Sequence, residues 1–204
     1  MRVLGRPKDM EKREAVLDAA SGLFAERGID GVAIETIAAA AGVSKVTIYA
    51  NFKDKAAIME AIVRRETDRL AAIEQEIAGQ GGPLNARLER FGMALNAMLG
   101  APSHLAIDRC MGLETVRNPD LGRRFFDAGP GYVRSILAQL LSEAVARGEI
   151  VLDDPKSAAE DLLGLWLGFS SIERRLLCKS ALPQDARALW VAQKVMLFLK
   201  AHAA

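Results

Sequence analysis

The sequence predicts an all-α protein, and three observations predict it. Alanine and leucine are abundant, while aromatics make up only 5% of the 204 residues, a balance that favours helices. No sustained run of Val, Ile and Thr alternates with polar residues at the strand period of two. Glycine and proline gather instead at breaks between long segments of three-and-four spacing, most clearly at Gly79-Gln80-Gly81-Gly82-Pro83. Half of the chain is hydrophobic, enough for a full core and for one large or two small domains.

About nine helices follow in order. The first spans residues 9–26, with Val16, Leu17, Ala20, Leu23 and Phe24 on one stripe and Gly28 as the C′ residue that ends it. The second begins after Ile29-Asp30-Gly31, with Glu35 near its N-terminus, where an acid is favoured. Ile34, Ile37, Ala38 and Ala41 share its inner face. The chain turns sharply at Gly42, since glycine takes positive φ at little steric cost. Ser44 is the natural N-cap of a third, short helix running to about residue 50. Asp54 caps a long fourth helix, whose buried face carries Ile58, Met59, Ile62, Val63, Leu70, Ile73 and Ile77. Its roughly 25 residues would span about 37 Å at 1.5 Å per residue, long enough to carry motion from a distal pocket to its start.

Past Pro83 the pattern stays helical. Residues 84–99 place Leu88, Phe91, Leu95 and Met98 inward, and residues 102–116 form the next segment. A longer helix is expected from about 120 to 147, with Gly129-Pro130-Gly131 a candidate interruption, because proline breaks or kinks a helix. Arg147-Gly148 stops it, and Val151-Leu152 reads as a short extended piece. Asp153-Asp154-Pro155 caps a helix over 156–178. Leu182-Pro183 turns into a last helix over 184–201.

The stretch IETIAAAAGVSKVTIYANFKDK, residues 34–55, carries the most information. Two short helices joined by Ala41-Gly42-Val43 form the parts of a helix-turn-helix, whose second helix enters the DNA major groove. Lys45, Thr47, Tyr49 and Asn51 point outward from that helix. Lys45 either donates to guanine O6 and N7 or meets a phosphate. The methyl of Thr47 suits a thymine methyl, and Val46 suits the same contact. Thr36, Ser44, Tyr49, Asn51 and Lys55 read as phosphate clamps, which set register and carry no sequence information. Tyr49 also reads as a packed ring with its hydroxyl outward. Lys55 is the strongest clamp candidate, beside the Asp54 cap and its free N–H groups.

The net charge of +1 does not itself announce a nucleic-acid partner. The basic arm of Arg2, Arg6 and Lys8 reads either as a solvated terminus or as a phosphate contact. Cys110 and Cys178 lie far apart, with no CxxC or Cys/His cluster, so they read as buried thiols with no metal site and no cofactor. Enzyme signatures are missing: no GxGxxG, no P-loop and no nucleophile elbow. With no apolar signal segment and no run that could span a bilayer, a cytoplasmic protein is expected, without a membrane partner.

Ala19-Ala20, Leu23-Phe24, Gly28, Gly31-Val32, Ile37-Ala38, Ala41-Gly42-Val43-Ser44, Thr47-Ile48-Tyr49, Phe52 and Lys55 together carry a family pattern. On these residues the N-terminal third closely resembles the DNA-binding domain of TetR-family transcriptional regulators. Asn51 departs from the pattern, standing where many relatives have His or Tyr. The run from Asn118 to Phe126 is similar to the C-terminal domain of AefR-like members. The resemblance implies a helix-turn-helix domain over 1–55 and a helical ligand-binding and dimerisation domain over 56–204. It implies a homodimer on a palindromic double-stranded operator, usually a repressor released by a small-molecule effector. A DNA binder of the same fold that senses no small molecule is the rival reading.

Two further sets of residues are expected. Met93, Met98, His104, Cys110, Met111, Phe125, Phe126, Tyr132, Trp166 and Phe169 fit an adaptable apolar or aromatic ligand pocket, with Arg109 and Glu114 as polar anchors. Any one of them also fits ordinary core. Leu162, Trp166, Phe169, Leu189, Val191, Val195 and Phe198 lie on two helices apolar around more than one stripe. They suit either a four-helix dimer interface or burial within the monomer.

Overall fold

The computed structural model describes residues 7–177 and 181–202. Arg2, Arg6 and Cys178 lie outside the described residues, as do the side chains of Lys8 and Cys110. Ten helices and no strand occur among the described residues: α1 (Pro7–Arg27), α2 (Ile34–Ala41), α3 (Lys45–Asn51), α4 (Lys55–Gln80), α5 (Leu84–Leu99), α6 (Pro102–Arg117), α7 (Pro119–Ala128), α8 (Pro130–Ala146), α9 (Pro155–Leu177) and α10 (Gln184–Ala201). The tenth arises because the chain breaks at Gly129, whose φ of −112° and ψ of −103° are not helical. Pro130 then opens α8, where its missing N–H would have been unsatisfied anyway. Val151-Leu152 is irregular chain and pairs with no strand.

Local chemistry sets the helix ends. Asp54 Oδ1 accepts from the Ala57 N–H at 2.7 Å, Asn118 Oδ1 from the Leu121 N–H at 3.2 Å and Asp154 Oδ1 from the Lys156 N–H at 2.9 Å. Each satisfies an N–H that the helix itself leaves unpaired.

The chain divides into two compact units. The first comprises residues 1–65 and 106–128, a larger body than the 1–55 expected, since it takes in the first turns of α4, much of α6 and all of α7. Its core gathers Leu17, Phe24, Ile37, Ile48, Ile58 and Met59 with Met111 and Leu121. Arg65 on α4 donates to Glu14 at 3.0 Å and Asp18 at 2.7 Å on α1. Arg124 on α7 pairs with Glu60 at 2.8 Å and lies 3.8 Å from Asp54.

The second unit comprises residues 66–105 and 129–204. Trp166 is fully buried at its centre, 6.1 Å from the Phe91 ring. Gly92 makes that packing possible, because a Cβ there would meet Trp166 Cε2 and Val191 Cγ1 at 2.8 Å. α9 kinks at Gly168, where φ is 49° and ψ is −161°, a conformation essentially confined to glycine. Arg87 is buried and pairs with Glu149. No described helix is long and apolar enough to cross a membrane.

Candidate nucleic-acid interface

The turn between α2 and α3 follows from its glycine. Gly42 takes φ 64° and ψ 32°, the left-handed region. Its N–H bonds to Ala39 O at 3.3 Å, and the Val43 N–H bonds to Ala38 O at 3.0 Å. These two bonds close a Schellman motif and satisfy the last carbonyls of α2. Ser44, extended at φ −77° and ψ 153°, caps α3 by accepting from the Thr47 N–H at 3.1 Å. The Ser44 and Thr47 hydroxyls also bond to each other at 2.9 Å. Gly31, in the turn before α2, has no room for a side chain: a Cβ would lie 2.3 Å from Arg27 O.

α3 buries Ile48 and turns its other side to water. Val46 is 77% exposed and Tyr49 52%; Lys45 and Asn51 are exposed too, while Thr47 and Thr36 are half-buried. Tyr49 is therefore a surface ring and not part of the core. Asn51 Nδ2 donates back to Thr47 O at 2.9 Å, so its amide closes the last turn of the helix.

Two lysines have partners that the sequence did not disclose. Lys45 pairs with Glu35 on α2, and its ammonium lies 5.9 Å from the centre of the Tyr49 ring. The hydrogen bond from Lys45 holds the Glu35 carboxyl below its usual range, and the same bond raises the Lys45 ammonium. Lys55, expected as a phosphate clamp, instead donates to three backbone carbonyls: Ile29 at 2.7 Å, Val32 at 3.0 Å and Asp30 at 3.3 Å. An ammonium has three donors, and all three are in use. Lys55 ties the start of α4 to the turn between α1 and α2.

The expected pocket residues do not share one core. Met111 is buried in the first unit, with Phe125 packed against it. Trp166 is buried in the second, with Met93, Met98 and Tyr132 against that core. Phe126 is exposed and Phe169 is 75% exposed, so neither lines an enclosed site by itself. His104 is half-buried and Arg109 exposed, while Glu114 is buried. A separate solvent-open groove of about 340 Å³ lies between α4 and α8, lined by Glu74, Gln75, Tyr132, Ser135, Gln139 and Glu143 among others. Its lining is about equally polar and apolar, and only Tyr132 belongs to the expected set.

The expected dimer residues also separate. Leu162, Trp166, Val191, Val195 and Phe198 are core of the monomer. Phe169 and Leu189 alone of that set face water. Leu189 and Val191 are two residues apart, hence about 200° apart around a helix, and cannot share a face. The exposed apolar stripe runs instead through Phe169, Ile172 and Leu176 on α9 and through Leu189, Met196 and Leu197 on α10. Its spacing of three, four and seven residues was present in the sequence, in the opposite phase to the core stripe.

No group of three or more His, Cys, Asp and Glu among the described residues is placed to hold a metal ion.

The comparisons with known proteins agree with this geometry. Residues 16–62 match the model of bacterial regulatory proteins of the tetR family. Residues 86–204 match the AefR-like transcriptional repressor C-terminal domain. An uncharacterised HTH-type transcriptional regulator of Bacillus subtilis, YdeS, is 46% identical over 67 residues, 32% of this chain and 34% of YdeS. The chain thus spans about a third of that relative's length. The structure of a flavonoid-responsive regulator, FrrA, is 31% identical, covers 94% of this chain and 96% of its own, and superposes with a TM-score of 0.72. A TetR-family regulator from Mesorhizobium loti shares the fold at a TM-score of 0.84 and 24% identity, over 98% and 100% of the two chains. With more than half of its length matched by the AefR-like domain and its reader matched by the N-terminal model, the chain belongs to the TetR family of transcriptional regulators.

Proposed function

We propose that this regulator is a homodimeric repressor that binds a palindromic operator through α3 and is released by a small apolar or aromatic effector. The observation that carries the DNA half is the outer face of α3. Val46 and Tyr49 stand exposed beside Lys45 on a helix seven residues long, capped by Ser44. An exposed valine gains little from water and suits a thymine methyl. Lys45 suits guanine, and Ser44, Thr47 and the Tyr49 hydroxyl suit groove edges and phosphates. Thr36 and Asn51 stand nearby as phosphate contacts, whereas Lys55 acts through the turn it holds.

The stripe of Phe169, Ile172, Leu176, Leu189 and Met196 supports the dimer. Exposed large apolar side chains at helical spacing mark an interaction site, and members of the family typically pair. A twofold axis would set the two α3 helices about one DNA turn, roughly 34–36 Å, apart. For the effector, support comes from the flavonoid response of FrrA and from Trp166, whose buried Nε1 has no partner among the described residues. A ligand oxygen would satisfy that donor.

The test is selection of bound duplexes from fragmented genomic DNA with the purified full chain. A twofold-symmetric site with half-sites about ten base pairs apart is the expected result. Recovery of no enriched sequence would overturn the reading. Release from the selected duplex by planar aromatic ligands, flavonoids first, tests the effector half.

A further inference from the structure

The contact between Lys45 and Glu35 crosses the helix-turn-helix. Glu35 sits in the first turn of α2 and Lys45 opens α3, ten residues later. Both side chains are at least half exposed, at 63% and 50%, so the pair adds little to folding stability. Its effect lies elsewhere. A lone lysine beside the groove attracts every phosphate of every sequence, because the Coulomb term is indifferent to the bases. A lysine already neutralised by a carboxylate, with the Tyr49 ring on its flank, offers DNA almost no net charge. It retains N–H donors, which a guanine edge accepts. The shifts of the two groups have the sign of a pair that stays ionised through neutral pH.

We infer that Glu35 is a specificity-determining residue of the reader, a positioning carboxylate that withholds Lys45 from non-specific phosphate contacts and presents it to the bases. Glu35 acts through Lys45, so its influence disappears when Lys45 does. The inference rests on the α3 reading proposed above, and the two fail separately.

The experiment uses the full chain, the duplex selected by the wild-type protein and a scrambled duplex of equal length. Fluorescence anisotropy over a salt series reads affinity on both, for wild type, Glu35→Gln, Lys45→Gln and the double variant. Glu35→Gln should tighten binding to the scrambled duplex and steepen its dependence on salt by about one counterion per protomer. Between 50 and 200 mM salt that widens the affinity ratio by about threefold per protomer. Operator affinity should not rise in step, so the ratio of operator to scrambled affinity falls, most at low salt. In the Lys45→Gln background, Glu35→Gln should then change neither slope nor ratio. Thermal melts of all four proteins should coincide, because the pair is exposed.

An unchanged ratio and slope in Glu35→Gln would overturn the inference. So would a Glu35→Gln effect that persists without Lys45, since the carboxylate would then act directly on phosphates. Failure of the wild-type protein to select any DNA would sink the operator reading instead.

Discussion

The two compact units expose apolar side chains in different patterns. On α3, exposed Val46 and Tyr49 are interleaved with Lys45 and Asn51. On α9 and α10, Phe169, Ile172, Leu176, Leu189, Met196 and Leu197 form stripes. A mixed face suits a partner that is itself charged outside and apolar only at thymine methyls. A continuous apolar face suits a partner of the same composition, and a second copy of the chain offers one. Leucine is concentrated in the second unit, but leucine content does not say which face a helix leaves spare. The phase of each exposed stripe against its own buried stripe does. On α10 the core stripe is Val191, Val195 and Phe198, and the outer stripe is its opposite face.

The largest expected effect breaks the comparison at the second unit. Leu176→Glu with Leu189→Glu puts charges on a face that is 72% and 63% exposed at these positions. The folded monomer should tolerate both, so the melting temperature of dilute protein should hold. Sedimentation should show loss of the dimer, and operator affinity should fall on the order of 10²-fold as the two readers lose their linkage. The same exchange at Val46, also exposed, should leave the dimer intact and abolish operator binding. A monomeric wild type, or a Leu176→Glu, Leu189→Glu protein that still pairs, would remove the second copy as the occupant of this face.

Much of this contrast was legible in the sequence, and the illegible part has a common cause. Gly42, Ser44 and Asp54 act on atoms within five residues, and each does what its residue type and position dictate. Helices α5 and α10 begin directly after Pro83 and Pro183. Lys55 finds its carbonyls 23 to 26 residues away and Lys45 finds Glu35 ten residues away. No local pattern announces either bond. The kink at Gly168 was hidden for another reason. Glycine is tolerated inside helices, so the residue alone does not tell a straight helix from a broken one. Most residues expected at a dimer interface lie on the buried face, and the sequence left both readings open because α9 and α10 are apolar on two sides. Only burial by the rest of the second unit decides which side is spare.

Lys55 supplies the next effect in size, now within the first unit. Lys55→Met keeps the aliphatic stem and deletes the three donors to Ile29, Asp30 and Val32. Three carbonyls lose a charged partner, so the protein should lose about 1.5–3 kcal/mol by denaturant unfolding. A phosphate clamp would behave otherwise: its loss would leave stability alone and flatten the salt dependence of DNA binding by about one counterion. The structure favours the first outcome, with the salt slope unchanged below the unfolding transition. A stable Lys55→Met protein with a flatter slope would return Lys55 to the DNA face.

The smallest effect belongs to the groove between α4 and α8. Burial, and secondarily the charge of Glu143, raise Glu74 above its ordinary 4.5, with Arg87 offsetting part of the rise. An acid whose folded value is raised favours folding when protonated. Its contribution is fully present below the unfolded value and is lost as pH climbs through the folded one. Ionised Glu74 is thus a small burden at neutral pH, held beside a second carboxylate in a groove that is otherwise amide, hydroxyl and aliphatic. Glu74→Gln removes the charge and keeps the shape. The variant should melt higher than wild type at pH 7, by about 2 °C at most for a chain of this size, and the gain should shrink as pH falls through the raised folded value and be gone below the ordinary 4.5, where Glu74 is protonated in both states. The same substitution on an exposed, paired carboxylate of the first unit, Glu35, should give no such pH-dependent gain, because there the folded value is lowered. If Glu74→Gln melts lower than wild type at pH 7, Glu74 is held ionised by a favourable contact, and the groove's charge is part of what the second unit is built around.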